Sequence, residues 1–159
     1  MTDRLPQLGR RGEGWVALQI VLLAVIVAAG VLGPAWPSSV RTWLAVAAGL
    51  VALAGLYLFL GGAAGLGRQL TPFPKPVEHG GIKRGGVYGL VRHPIYGGVL
   101  LMALAWSLVS SPLALVPWAI AGLFLDAKRR REEAWLVEKH PEYQEYKSGV
   151  RASFVPFVW

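Results

Sequence analysis

Apolar residues in this chain gather into long runs separated by polar breaks, and the lengths of those runs set the first expectations. From Trp15 to about Gly33 only Gln19 interrupts the apolar character. These nineteen residues, at a rise of about 1.5 Å each, predict a helix of about 28 Å, enough to cross the hydrocarbon core of a bilayer. Pro34 and Pro37 then break the helix and turn the chain, and a second apolar run from Val40 to about Leu60 returns it. Two further apolar segments, Pro94 to Val109 and Pro112 to Leu125, are separated only by Ser110 and Ser111, a connection short enough to predict an antiparallel helical hairpin. Both are short for a bilayer, so the last is expected to continue as helix past Asp126 to Lys139 and to project from the membrane.

The intervening region, residues 61–93, is rich in glycine, proline and basic residues and too polar to span. Thr71-Pro72-Phe73-Pro74-Lys75-Pro76 favours extended chain. The predicted fold is therefore all-α, a polytopic integral membrane protein of about four transmembrane helices in a single domain over residues 1–159. Its parts are an N-terminal two-span hairpin (1–60), a cytoplasmic loop (61–93), a helical hairpin with a cytosolic extension (94–139) and a C-terminal cap (140–159). The first run, flanked by Arg10 and Arg11, has the length of a full span and no convincing small-residue cleavage site, so it reads as a retained helix rather than a signal peptide.

Composition agrees with a lipid solvent: 54% of the residues are apolar and only 16% charged. The net charge of +7 suits nucleic acid in principle, but its placement points to lipid headgroups. Three basic residues precede the first run, five lie between Gly61 and His93, seven follow Asp126, and only Arg41 falls elsewhere. In a four-span arrangement the positive-inside rule then makes both termini cytoplasmic in a multi-pass protein of the cell membrane. No nucleic-acid partner is expected. The absence of cysteine excludes disulfides, thiolate nucleophiles and cysteine-ligated metals.

Two polar clusters sit at the ends of the apolar runs. In the first, Gly85 to Gly98, glycines permit close backbone approach to a ligand. Pro94 suits a first helical turn and leaves His93 and Tyr96 near its exposed amides. An interfacial anchor of Tyr, His and Arg would have the same composition. In the second, Lys128-Arg129-Arg130-Arg131-Glu132-Glu133, the basic run suits a headgroup clamp. Its two carboxylates lie about 100° apart around a helix, so only one can face the bundle squarely while the other looks sideways or pairs with Lys128 or Arg129. Tyr143, Tyr146, Phe154, Phe157 and Trp159 suit an interfacial aromatic belt, a pocket lining, or both. The glutamates and His140 lack convincing metal-ligand spacing, so no metal is expected.

The ordered set Gly-Val-Tyr88, Arg92-His93-Pro94-Ile95-Tyr96-Gly97, a helical hairpin, Glu132-Glu133-x-x-Leu136, Pro141-Glu142-Tyr143-x-x-Tyr146 and Phe154-Val155-Pro156 resembles the isoprenylcysteine carboxyl methyltransferase family and the related phospholipid N-methyltransferases. The likeness covers roughly residues 80–157, about half the chain. It implies a cytoplasmic-side pocket for S-adenosyl-L-methionine, formed by the C-terminal half, and a lateral opening for a lipophilic or prenylated substrate. Carried over by position, Tyr88, His93, Pro94, Tyr96, Glu132 and Glu133 would bind the cofactor, with Ile82 and Lys83 in the preceding loop. Lys128 and Arg129 would serve the substrate. Lys128 stands where the eukaryotic carboxyl methyltransferases have a substrate-binding arginine, and lysine lacks the bidentate fork that arginine offers a carboxylate.

No catalytic base is assigned. A carboxylate acceptor is ionised at neutral pH, whereas an amine would have to shed a proton, for which Glu133, His93 or a tyrosine could serve. Two alternatives stand beside this reading. Membrane sterol reductases share a similar C-terminal tyrosine and proline pattern but use NADPH. A non-enzymatic scaffold or transporter subunit would be expected to carry more polar residues at mid-membrane than Gln19 alone.

Overall fold

The computed structural model describes residues 5–78 and 80–156; Phe157 and Trp159, offered above for the aromatic belt, lie outside them. Among the described residues the protein is all-helical. Five α-helices follow in order: α1 (Glu13–Leu32), α2 (Ser38–Leu66), α3 (Pro94–Ser110), α4 (Leu115–Lys139) and α5 (Tyr143–Gly149). By length and composition α1 and α2 can each cross a membrane, while α3 is apolar but shorter. The outward faces of α1 and α2 carry large apolar side chains in the open, Leu32 and Trp43 among the most exposed. In water such surface is costly, and in lipid it is the solvated face.

The expected boundary near Leu60 is corrected by the structure, because α2 continues to Leu66. Its glycines here pack closely on neighbouring chain. A Cβ at Gly62 would lie 2.8 Å from Ile95 Cγ1, and one at Gly65 3.0 Å from Tyr88 Cε2. Small residues allow helices without a large hydrophobic driving force to approach backbone to backbone. The same device joins α2 to α3 at Gly55 and Gly98, where a Cβ on Gly98 would stand 2.7 Å from the Gly55 carbonyl oxygen.

The N-terminal pair is consecutive in sequence without being a packed hairpin. The main partner of α2 is α3, while α1 packs against α4 and α3. One apolar core gathers Ile26, Leu100, Ala121, Leu125 and Phe154 from α1, α3, α4 and the C-terminal segment. The turn between α3 and α4 is as tight as the serine pair suggested: the Ser111 hydroxyl accepts the Leu113 amide at 3.2 Å and opens a 3-10 turn, Pro112–Ala114. Beyond Leu125 the second half of α4 is charged and carries the polar side chains described next.

Candidate functional site

Pro94 occupies the first turn of α3, where its missing amide hydrogen costs nothing. The chain just before it is clamped to the C-terminal segment, with the Arg92 and His93 amides donating to Ala152 and Ser153 carbonyls at 3.1 and 2.8 Å. Gly97 makes this approach possible, since a Cβ there would lie 2.0 Å from the Phe154 carbonyl oxygen. Arg92 completes the clamp. Its guanidinium donates to Glu133 Oε1 at 2.9 Å, to the Val150 and Arg151 carbonyls at 2.7 and 2.6 Å, and to Ser153 Oγ at 2.8 Å.

The two adjacent glutamates have separate environments. Glu133 is 3% exposed and accepts from Arg92, from Arg129 at 3.3 Å and from Lys147 at 2.7 Å. Burial by itself would raise its pKa, but hydrogen bonds from His93, Lys147 and Arg92 outweigh that and hold the carboxyl far below the ordinary carboxylate range. An ionised Glu133 can only accept, so the proton between it and His93 resides on His93 Nε2, 3.2 Å away. His93 Nδ1 then points toward Glu132, 4.0 Å from Oε1. Glu132 is the more open carboxylate; its Oε2 accepts the Tyr96 hydroxyl at 2.5 Å, and the Tyr96 and His93 rings stack at 5.5 Å with 5° between their planes.

His93, Tyr96 and Glu132 border a cavity of about 460 Å³, within the range usual for small-molecule sites. The cavity brings together most of the residues singled out from sequence: Tyr88, His93, Pro94, Tyr96 and Glu132, with Ile82 and Lys83 from the loop and Lys128 from α4. Glu133 and Arg129 do not border it. Glu133 is turned behind His93, and Arg129 is committed to Asp126 and Glu133, as the i, i+3 and i, i+4 geometry of α4 dictates. Tyr88 reaches the cavity with its hydroxyl bound to the Gly62 carbonyl at 3.2 Å, while its own carbonyl accepts the Tyr146 hydroxyl at 2.6 Å.

Some lining residues had no place in the sequence-derived site. Gln19 of α1 accepts from the buried Lys128 ammonium at 2.7 Å, and that ammonium lies 4.9 Å from the centre of the Tyr96 ring. The signal for Gln19 was its isolation as a polar residue in an apolar run. The proline-rich stretch Leu70 to Val77 also borders the cavity, as does His140; Tyr143 and Tyr146, offered from sequence as belt or pocket lining, border it too. Burial and the nearby Glu133 and Glu132 carboxylates push the Tyr143 phenol upward, so it stays protonated at neutral pH. Among the described residues no three acidic or histidine side chains gather as a metal site.

No family model matches the chain. A 78-residue segment is 36% identical to the Delta(14)-sterol reductase of Mus musculus, covering 46% of this chain and 19% of the reductase. The matched portion is therefore about a fifth of that protein's length.

Proposed function

We propose that this protein is a multi-pass membrane enzyme that transfers a methyl group from S-adenosyl-L-methionine to a lipophilic acceptor at the cytoplasmic face. The observation that carries the reading is the convergence of Tyr88, His93, Tyr96 and Glu132 on one cavity at the polar ends of α3 and α4. In the proposed four-crossing arrangement α3 and the apolar half of α4 join α1 and α2 as spans, and the placement of basic residues supports cytosolic termini by the positive-inside rule.

The residues present fit this cofactor. Glu132, fixed by the Tyr96 hydroxyl, keeps Oε1 available for an ammonium or ribose hydroxyl, and His93 Nδ1 is beside it. Bound S-adenosylmethionine supplies a methyl group already activated on a sulfonium. The chain then has to orient an acceptor and keep water away, a contribution of about 7 to 11 kcal/mol when alignment is good. Glu133 holds the His93 ring in place, and the C-terminal clamp holds the start of α3. The acceptor's route is suggested by Ile20 of α1 and Phe59 of α2, which border the cavity from helices that do not pack closely on each other. Ile20 is 63% exposed on the side that faces lipid in this arrangement. A lipid or prenylated molecule would enter by that gap.

The segment similar to a sterol reductase favours a second reading, reduction of a sterol-like substrate with NADPH. Against it stands size: NADPH is a dinucleotide close to twice as large as S-adenosylmethionine, and two of the cavity's cations, Arg92 and Lys128, are already bound within the protein. The deciding experiment titrates the purified protein with S-adenosylhomocysteine and NADPH. It then incubates the protein with labelled S-adenosylmethionine, membrane lipids and prenylated thiols, with mass analysis of whatever gains a methyl group. Binding of S-adenosylhomocysteine and a methylated lipid are expected; binding of NADPH alone would replace this proposal with the second reading.

A further inference from the structure

One wall of the cavity is a stretch with little main-chain bonding of its own to hold it in place. Residues Leu70 to Val77 all border the cavity, and three of them are prolines. Extended proline-rich chain makes no internal ladder. Among the described residues, the main chain from Thr71 to Glu78 makes no backbone hydrogen bond to any helix; the Gly80 amide bonds only to Val77, within the loop itself. Such a segment opens at far lower free energy than the helices beneath it.

Side chains from elsewhere hold it shut. On one flank the Arg11 guanidinium lies 4.4 Å over the Phe73 ring, and Pro74 is fully buried against Gly12. Gly12 has φ +82°, and a Cβ there would stand 2.6 Å from Pro74 Cγ, so a side chain at this position would unseat the proline. On the other flank Lys139, at the end of α4, donates to the Val77 and Glu78 carbonyls at 2.5 and 2.6 Å.

We infer that residues 70–78 form a hinged roof over the cavity, latched by Arg11 and Gly12 just before α1 and by Lys139 at the end of α4, and that a polar nucleotide enters and leaves by lifting it. The inference concerns the cavity named in the proposed function and not which nucleotide occupies it.

The chain has no cysteine, so a single reporter, Leu136→Cys on the cavity wall, can be labelled selectively in the full-length protein in lipid nanodiscs. The labelling rate with a membrane-impermeant maleimide is compared in the reporter protein and after adding Arg11→Gln, Lys139→Gln or both. Arg11→Gln should speed labelling by roughly two- to fivefold, the range of one exposed cation–π contact. Lys139→Gln should act in the same direction, and the double variant should multiply the two effects if the latches are independent. Arg130→Gln, which removes an exposed charge paired to Asp126 away from the roof, should leave the rate alone. Unchanged rates in both latch variants, with melting temperatures preserved, would overturn the roof. Protection of the reporter by S-adenosylhomocysteine is read separately: faster labelling without protection supports the roof and counts against methyl transfer, and protection with unchanged latch rates does the reverse.

Discussion

Replacing Glu133 by Gln removes one negative charge from a site where the structure concentrates positive ones, with almost no change of shape. The carboxylate is 3% exposed and faces the Arg92 guanidinium at 2.9 Å, the Lys147 ammonium at 2.7 Å, the Arg129 guanidinium at 3.3 Å and His93 at 3.2 Å. Removing one partner of a buried ion pair typically costs about 3 to 5 kcal/mol, because the remaining charge is left uncompensated. For a chain of this size that is a fall in melting temperature of roughly 6 to 20 °C. Glu133→Gln should therefore melt well below the parent at pH 7, measured by circular dichroism or dye binding in the same detergent. Acid should narrow the difference. The folded pKa of Glu133 lies below its unfolded value, so its stabilisation is present above about pH 4.3 and is lost as pH falls through and beneath that value. The parent should lose stability on acidification more steeply than the variant, and the two curves should converge. A Gln variant as stable as the parent at pH 7, or a gap that widens in acid, would refute the assignment of Glu133 as the charged centre of this clamp.

Glu132→Gln should behave differently, because its side chain is 24% exposed and meets the cavity. Melting should change little, while S-adenosylhomocysteine affinity by calorimetry should fall roughly 10- to 150-fold, the value of one charge-assisted hydrogen bond. Gly97→Ala pushes a methyl group into the Phe154 carbonyl and should cost about 1 to 3 kcal/mol. Limited proteolysis should then cut the C-terminal segment after residue 149 sooner than in the parent, and equal cleavage rates would argue against the close approach.

Much of the candidate site was legible because its residues cluster locally. His93, Pro94 and Tyr96 fall within one helical turn, and Glu132 and Glu133 are neighbours whose 100° separation already required different surroundings. Which glutamate faced the cavity was not legible, since it depends on how α4 is rotated against α3. Gln19 and Lys128 are 109 positions apart, and nothing local ties them together. The glycines from Gly61 to Gly65 resembled loop punctuation and proved to be contact points of a continuing helix, because a glycine signals close approach as well as freedom.

By itself, then, the amino-acid order determined the helical class, the positions of the apolar runs and the gathering of basic residues at their ends. A bilayer imposes requirements of length, apolarity and charge asymmetry that can be read one segment at a time. Only the tertiary structure decided that α2 pairs with α3, that Glu133 is spent on Arg92 and His93, and that a proline-rich stretch borders the cavity. Those outcomes are set by which surfaces meet in three dimensions, and side-chain direction across distant segments is fixed only when the helices pack.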